Sequence, residues 1–275
     1  MGRPPPGNPP NASLFRLRTG DRFLSVKIAV CIKRVPDMDA RFKVTQSGGA
    51  VDETGLKFDI SDFDGYAVEA ALRIKEKDGS GEVVVISLGP DVVQETLRKA
   101  ISMGADRAVQ LKHDGPIYDP FAIASALATE LRAGAYDLVL FGRMSIDTAN
   151  QAVGPIVAEL LGWPCITSIS KLDFDDGVVK TRRELEGAYE LVECGLPAVL
   201  TIDEGIARPR YPSLKGIMSA KKKPLETRVA ELGTQRLTLT SMELPAERSA
   251  GRIIGEGKDA VPELIRLLKE EAKVL

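Results

Sequence analysis

From Lys27 onward the chain alternates short apolar runs with segments of helical periodicity, and this alternation constrains its fold more than any other feature. Lys27 to Ile32 reads as a strand, and Phe63 to Lys77 as a helix with Ala67, Ala70, Ala71 and Ile74 at helical spacing. A second strand, Glu82 to Ser87, leads through Gly89-Pro90-Asp91 into a helix in which Asp91 and Gln94 have capping-box spacing and which Gly104 closes. Ala108 to Leu111 is the third strand. Asp119-Pro120 supplies an N-cap and a first-turn proline for a helix reaching about Arg132. Leu138 to Phe141, a helix from Thr148 to Leu161 ended by Gly162, and an apolar run around Ile166 complete the pattern. Such βαβ repetition predicts an α/β class: a doubly wound, mostly parallel sheet with helices on both faces. Ligands of such sheets sit beyond the carboxyl ends of the strands, where strand order reverses. In the commonest order that point lies between strands one and four, so the loops after Cys31 and Phe141 are expected to face each other.

From Leu172 the periodicity changes to two. Asp175-Asp176-Gly177 and Glu186-Gly187 predict two hairpins, with Val178 to Glu184 and Tyr189 to Glu193 as strands, and Ala198 to Ile202 returns to the sheet. After Pro224 the chain reads as polar and irregular until an amphipathic helix, Ala260 to Lys273, with Val261, Leu264, Leu267 and Leu268 on one face. That arm either packs on its own domain or reaches a partner. Three parts are therefore expected. Residues 26–224 form an α/β domain and residues 225–275 a C-terminal arm. Residues 1–25, proline-rich and then arginine-rich, are disordered or precede the native start, which Val26-Lys27-Ile28-Ala29-Val30 resembles.

Composition narrows the function by exclusion. With 37 basic and 39 acidic residues no global field draws the chain to nucleic acid or to an anionic membrane, and no apolar run reaches membrane-spanning length. Cys31, Cys165 and Cys194 are far apart and odd in number, which argues against a disulfide framework, a zinc site or an iron–sulfur cluster and places the thiols in a reducing, cytoplasmic compartment. His113 is the sole histidine and reads as a surface residue after a strand.

There is no GxGxxG after the first strand and no Walker sequence, which disfavours an ordinary Rossmann oxidoreductase. The loop Gly142 to Gln151 is small and hydroxyl-rich and is expected to run into a helix N-terminus, where open amides and the dipole favour a phosphate; simple capping by Asp147 or Thr148 is the alternative. A second loop, Glu204 to Met218, runs into Ser219 to Pro224. Pro209, Pro212 and Pro224 break it, yet Ile206, Tyr211, Leu214, Ile217 and Met218 make it too apolar for a plain linker. Apolar residues on a rigid basic loop suggest docking.

This loop, together with Lys33-Arg34-Val35-Pro36, Ala67-Val68-Glu69, Lys75-Glu76-Lys77, Met103-Gly104-Ala105-Asp106 and Arg183-Glu184-Leu185-Glu186-Gly187, resembles the electron transfer flavoprotein β subunit from Lys27 to Pro224. The resemblance implies a Rossmann-like, adenine-nucleotide α-hydrolase-like fold and a structural AMP. Its contacts would fall at Cys31, at Ser61, Asp62, Phe63 and Asp64, near Leu88, and at Gly142, Ser145, Asp147, Thr148, Asn150, Gln151 and Val153. It implies a heterodimer with an α subunit that holds the redox FAD, docking of flavin-containing dehydrogenases, and an acceptor such as a quinone oxidoreductase. The recognition loop would comprise Gly205, Ile206, Ala207, Arg208, Pro209, Arg210 and Tyr211, with Ile206 as apolar anchor unless it folds back onto the core. Glu184 would lie near the subunit interface and influence mobility of the flavin domain, while Arg183 and Glu186 also suit plain cross-strand pairing. Lys221, Lys222 and Lys223 would steer acidic partners or simply be solvated. Relatives that bifurcate electrons hold a second FAD in the AMP site and carry an Asp-Gly-Asp-Thr-type sequence where this chain has Asp147-Thr148-Ala149-Asn150, which favours AMP here. The fold alone also allows a universal-stress-type nucleotide-binding regulator.

Overall fold

A computed structural model describes residues 25–175, 177–246 and 250–275. The expected extension at residues 1–25 and Asp176 of the first hairpin turn thus lie, but for Ser25, outside the described residues. The chain enters on β1 (Lys27–Cys31) and makes a small antiparallel pair, β2 (Arg34–Pro36) with β3 (Phe58–Ile60). It continues through α1 (Asp62–Asp78), β4 (Glu82–Gly89), α2 (Val93–Met103), β5 (Arg107–Lys112), α3 (Pro120–Gly134), β6 (Leu138–Gly142) and α4 (Val153–Leu161). There follow β7 (Cys165–Asp175), β8 (Val178–Leu185), β9 (Ala188–Gly195), β10 (Ala198–Ile202), α5 (Leu214–Ala220), β11 (Leu225–Val229) and, after a 3-10 turn at Lys258–Ala260, α6 (Val261–Glu270).

Among the described residues nine strands form one sheet in the order β11-β5-β4-β1-β6-β10-β7-β8-β9. β1 lies between β4 and β6 and is parallel to both, so the strand order reverses between the first and fourth core strands, as expected. Period-two alternation along β1 divides the core. Ile28 and Val30 face α1 and α2, whereas Ala29 and Cys31 face α3 and α4. β4 repeats this with Val83 and Val85 against Val84 and Ile86. Strands buried on both faces read as continuous apolar runs, and each enclosed Val, Leu or Ile contributes about 2 kcal/mol of burial. The fifth strand and the first hairpin arm are one long strand, β7, whose register shifts between Ile169 and Lys171.

Local signals hold where no distant group competes. Asp119 accepts the amide of Phe121 at 2.8 Å and starts α3, and Gly162, at φ 70°, closes α4. Five expectations are corrected. The helix expected from Thr148 starts at Val153, because Ala149 and Gln151 adopt φ 51° and 54° and interrupt the helical path. Asp91 does not cap α2; its carboxylate instead takes Lys112 Nζ at 2.7 Å. The irregular stretch after Pro224 begins later, since Leu225 to Val229 pair in parallel with β5 as β11. Within the proline-broken loop, Ser213 Oγ accepts the amide of Gly216 at 3.0 Å and starts the short α5. Helix α6 ends at Glu270, and Lys273 lies beyond it at φ 53°.

Candidate functional site

At the switch point the carboxyl ends of β1 and β6 open into a cleft of about 980 Å³. Its base is held by Asp64, in the first turn of α1 and only 6% exposed. One carboxylate oxygen accepts the amide of Lys33, just past β1, at 2.7 Å, and the other accepts the amide of Gly142, at the end of β6, at 3.0 Å. Gly142 is required by this approach: a Cβ there would stand 2.5 Å from Asp64 Oδ1. Ser61, fully buried, accepts the amide of Ile146 at 3.3 Å. The Lys33 ammonium crosses the cleft to Asp147, 2.7 Å from Oδ2, and lies 3.5 Å from Ser145 Oγ. Ser145 and Thr148 hydroxyls are 2.9 Å apart.

Burial pushes the Asp64 carboxyl up to about 7, against the lowering effect of the Lys33 and Gly142 amides. Burial, then the Asp64 and Glu130 charges, pushes the Cys31 thiol well up as well, so at neutral pH Cys31 is a packed thiol and not a nucleophile. The cleft therefore combines a cation, hydroxyls and turn amides at one end with apolar walls from Ile86, Leu88, Ile123, Leu127 and Val153. That combination suits an anionic ligand carrying a flat apolar group.

Of the residues expected at the nucleotide, Cys31, Asp64, Leu88, Gly142, Ser145, Asp147, Thr148, Asn150, Gln151 and Val153 line this cleft. Ser61, Asp62 and Phe63 do not. Ser61 supports the loop from behind, Phe63 carries the Arg143 guanidinium 4.8 Å above its ring, and Asp62 is exposed at the start of α1. Lys33, two positions past Cys31, also lines the cleft without being among the residues expected there. So does a flap over residues 37–57. Its tip is held where Gly48 O accepts the amide of Met242 at 2.8 Å and Gly49 O accepts the Tyr118 hydroxyl at 3.2 Å. Met242 and Tyr118 have no sequence signal, since their role depends on contacts across more than a hundred and about seventy residues respectively.

In the second loop, Ile206 is half-buried and packs against the core cluster beside Ala70, Ile74 and Phe174, and Ala207 is buried. Gly205, at φ 95°, turns the chain, and Arg208 is exposed. Pro209 packs beside Gly65. Arg210 lies on α1, bonded to Glu69 and Glu76. Burial would raise the Glu69 carboxyl, but hydrogen bonds from Arg210 and Arg73 outweigh it and hold it below its ordinary value. Beyond Arg210 the loop turns outward: Tyr211 is 90% exposed, Leu214 83% and Met218 73%. Lys221 and Lys222 are also exposed, whereas Lys223 donates to Ala105 O at 2.7 Å. Glu184 accepts from Ser170 Oγ at 2.9 Å and from Arg182 at 2.6 Å, and Arg183 pairs across the hairpin with Glu190 at 2.9 Å. His113 follows β5 and is partly exposed. Among the described residues no cluster of His, Cys, Asp and Glu could hold a metal ion, and no helix is long and apolar enough to cross a membrane.

Comparison with known proteins agrees with this architecture. A family model described as the electron transfer flavoprotein domain matches residues 48–232. The electron transfer flavoprotein subunit beta of Bradyrhizobium diazoefficiens is 39% identical over 254 residues, covering 91% of this chain and 100% of its own length. Its Bacillus subtilis counterpart is 34% identical over 264 residues, covering 91% and 100%. The Homo sapiens counterpart is 35% identical over 246 residues, covering 87% and 96%. With similarity spanning nearly the whole described sheet and its switch-point cleft, the chain belongs to the electron transfer flavoprotein family, among its β subunits.

Proposed function

We propose that this β subunit holds AMP in the switch-point cleft and joins an α subunit that carries the redox FAD. It would dock flavin-containing dehydrogenases through the loop after β10. The observation that carries the AMP reading is the joint placement of Lys33, Ser145, Asp147 and Thr148 in a cleft that Ile86, Leu88, Ile123 and Val153 also line. Lys33 and the amides of the 145–151 turn would take the phosphate, with left-handed φ at Ala149 and Gln151 favouring the concave amide arrangement that binds anions. Ile86, Leu88 and Val153 would take the base. FAD, when bound by the partner, supplies the electron-carrying chemistry. This chain positions and anchors, as an electron-carrier subunit and not as an enzyme. Electrons would pass on to an acceptor such as a quinone oxidoreductase. A cytoplasmic location would suit three cysteines that are far apart in the sequence and odd in number.

The docking anchor is better assigned to Tyr211 and Leu214 than to Ile206. The first two are exposed, whereas Ile206 packs inward, and exposed apolar side chains near a centre of contact contribute most to interface energy. Lys221 and Lys222 would speed encounter with acidic partners. Glu184 would act at the subunit interface, which its exposed position on the β8 hairpin favours. The C-terminal arm would reach the α subunit, since α6 keeps Val261, Leu264 and Ile265 well exposed.

A second reading rests on cleft size. At about 980 Å³ the space stands at the top of the range of about 300–1,000 Å³ for small-molecule sites and extends toward Phe42, Phe58 and Tyr118. A second FAD in place of AMP would make this the β subunit of an electron-bifurcating complex. Membership of the family removes the stress-protein-like regulator considered from fold alone. The test is to isolate the complex with its α subunit, denature it and quantify nucleotides. One FAD and one AMP per heterodimer is expected, two FAD without AMP would establish the second reading, and absence of both from this cleft would overturn each.

A further inference from the structure

We infer that Asp119 is a positioning residue for the cleft nucleotide, latching residues 230–242 of the C-terminal arm across α3 as a strap that holds the 37–57 flap closed. This rests on the AMP reading given above. Among the described residues, two hydrogen bonds fasten the flap tip to other parts of the chain. Gly48 O accepts the amide of Met242 at 2.8 Å, and Gly49 O accepts the Tyr118 hydroxyl at 3.2 Å. Met242 and Tyr118 both line the cleft, as do Ala50 and Val51 of the flap itself. The flap tip is therefore only as firm as these two donors.

Residues 230–246 form neither helix nor strand, so Met242 is positioned by contacts alone. The strap leaves β11 where the amide of Ala230 donates to Lys112 O at 2.9 Å, and Leu232 packs on the core cluster shared with α3. Gly233 then crosses α3 so closely that a Cβ there would stand 2.6 Å from Ser125 Cβ. At the end of the crossing Asp119, only 2% exposed, accepts the amides of Arg236 and Leu237 on Oδ2, the second at 3.1 Å. The Arg236 guanidinium lies 3.7 Å above the Phe121 ring. Asp119 Oδ1 meanwhile accepts the amide of Phe121 at 2.8 Å. One buried carboxylate thus starts α3, whose Pro120, Ile123 and Leu127 wall the cleft, and pins the strap just before Met242. Tyr118, its neighbour in sequence, holds the flap directly. A segment outside the helix and sheet ladders opens locally at lower cost than the sheet beneath it, and its charge-assisted bonds set that cost. Nucleotide under the flap leaves when the flap lifts, so the latch governs release.

The test uses nucleotide-stripped heterodimer with its α subunit, loaded with radiolabelled AMP, and the variants Asp119→Asn and Arg236→Ala. Asparagine keeps an acceptor for the Phe121 amide, so α3 stays capped, but it sets an amide donor against the amides of Arg236 and Leu237. After a chase with excess unlabelled AMP, Asp119→Asn is expected to release label about tenfold faster than the parent. Backbone amide exchange at Met242, five residues from the latch, should rise by a similar factor. Arg236→Ala loses only a stacking contact at an exposed residue, should release label about threefold faster, and carries the test should Asp119→Asn fail to assemble. A lower melting temperature with parental release in whichever variants assemble would overturn the latch, as would raised exchange at Met242 with parental release. If the parent takes up and releases label and the variants match it, only this inference fails. If the parent takes up no labelled AMP, the AMP reading fails and this inference with it.

Discussion

The buried carboxylate of Asp64 accepts the backbone amide of Gly142 at 3.0 Å, joining the first turn of α1 to the end of β6 across the reversal point of the sheet. With the Lys33 amide on its other oxygen, Asp64 holds both loops that frame the cleft. Gly142→Ala would put a methyl group 2.5 Å from that carboxylate and 2.6 Å from the Asp64 amide nitrogen. The second of these is backbone and cannot swing aside. The expected cost is about 2–3 kcal/mol in chemical denaturation, with reduced nucleotide content in the purified complex. A variant that denatures and retains nucleotide like the parent would refute the close approach.

Asp64 also predicts a pH dependence. Its carboxyl is raised to about 7 in the folded chain, chiefly by burial, and lies near its ordinary value of about 3.9 when unfolded. Between about pH 4 and 7 the folded state therefore holds a proton that the unfolded chain has released. Its contribution to stability falls as pH rises, by about 1.4 kcal/mol per unit, and levels off above 7. Asp64→Asn removes this contribution. The difference in unfolding free energy between parent and variant, measured by urea titration from pH 5 to 8.5, should change in favour of Asn as pH rises. A constant difference would exclude titration of Asp64 in that window.

Lys33 meets Asp147 across the cleft at 2.7 Å. If this pair faces the phosphate, Lys33→Ala loses a charge-assisted contact and leaves Asp147 to repel the anion. AMP affinity should fall by about tenfold to a hundredfold, from the about 1.5–3 kcal/mol of such bonds. Asp147→Asn should weaken binding less or strengthen it. Calorimetric titration of nucleotide-stripped heterodimer with AMP checks both, and equal losses would move the phosphate away from Lys33.

Ile206 and Leu214 should separate cleanly. Ile206→Ala truncates a half-buried side chain packed against the core cluster and should cost about 2 kcal/mol of stability with little effect on donor KM. Leu214→Asp should leave the melting temperature nearly unchanged and raise donor KM about tenfold. Reversal of the two phenotypes would restore Ile206 as the anchor.

Much of the cleft was legible because its residues sit at ends of strands that declare themselves. Cys31 closes an apolar run and Gly142 follows another, so the sheet order alone brings them together. Lys33 and the flap were less legible. Their part depends on where Asp147, Tyr118 and Met242 arrive from elsewhere in the chain.

Sequence by itself determined the alternation that divides Ile28 and Val30 from Ala29 and Cys31, the Asp119 cap of α3 and the glycine that ends α4. These follow from periodicity and hydrogen bonds acting over a few residues. Only tertiary structure decided the start of α4 at Val153, the diversion of Asp91 to Lys112, the addition of β11 to the sheet, and the inward Ile206 beside the outward Leu214. In each case residues compatible with more than one local arrangement were claimed by partners distant in sequence, and that competition is settled only when the chain has packed.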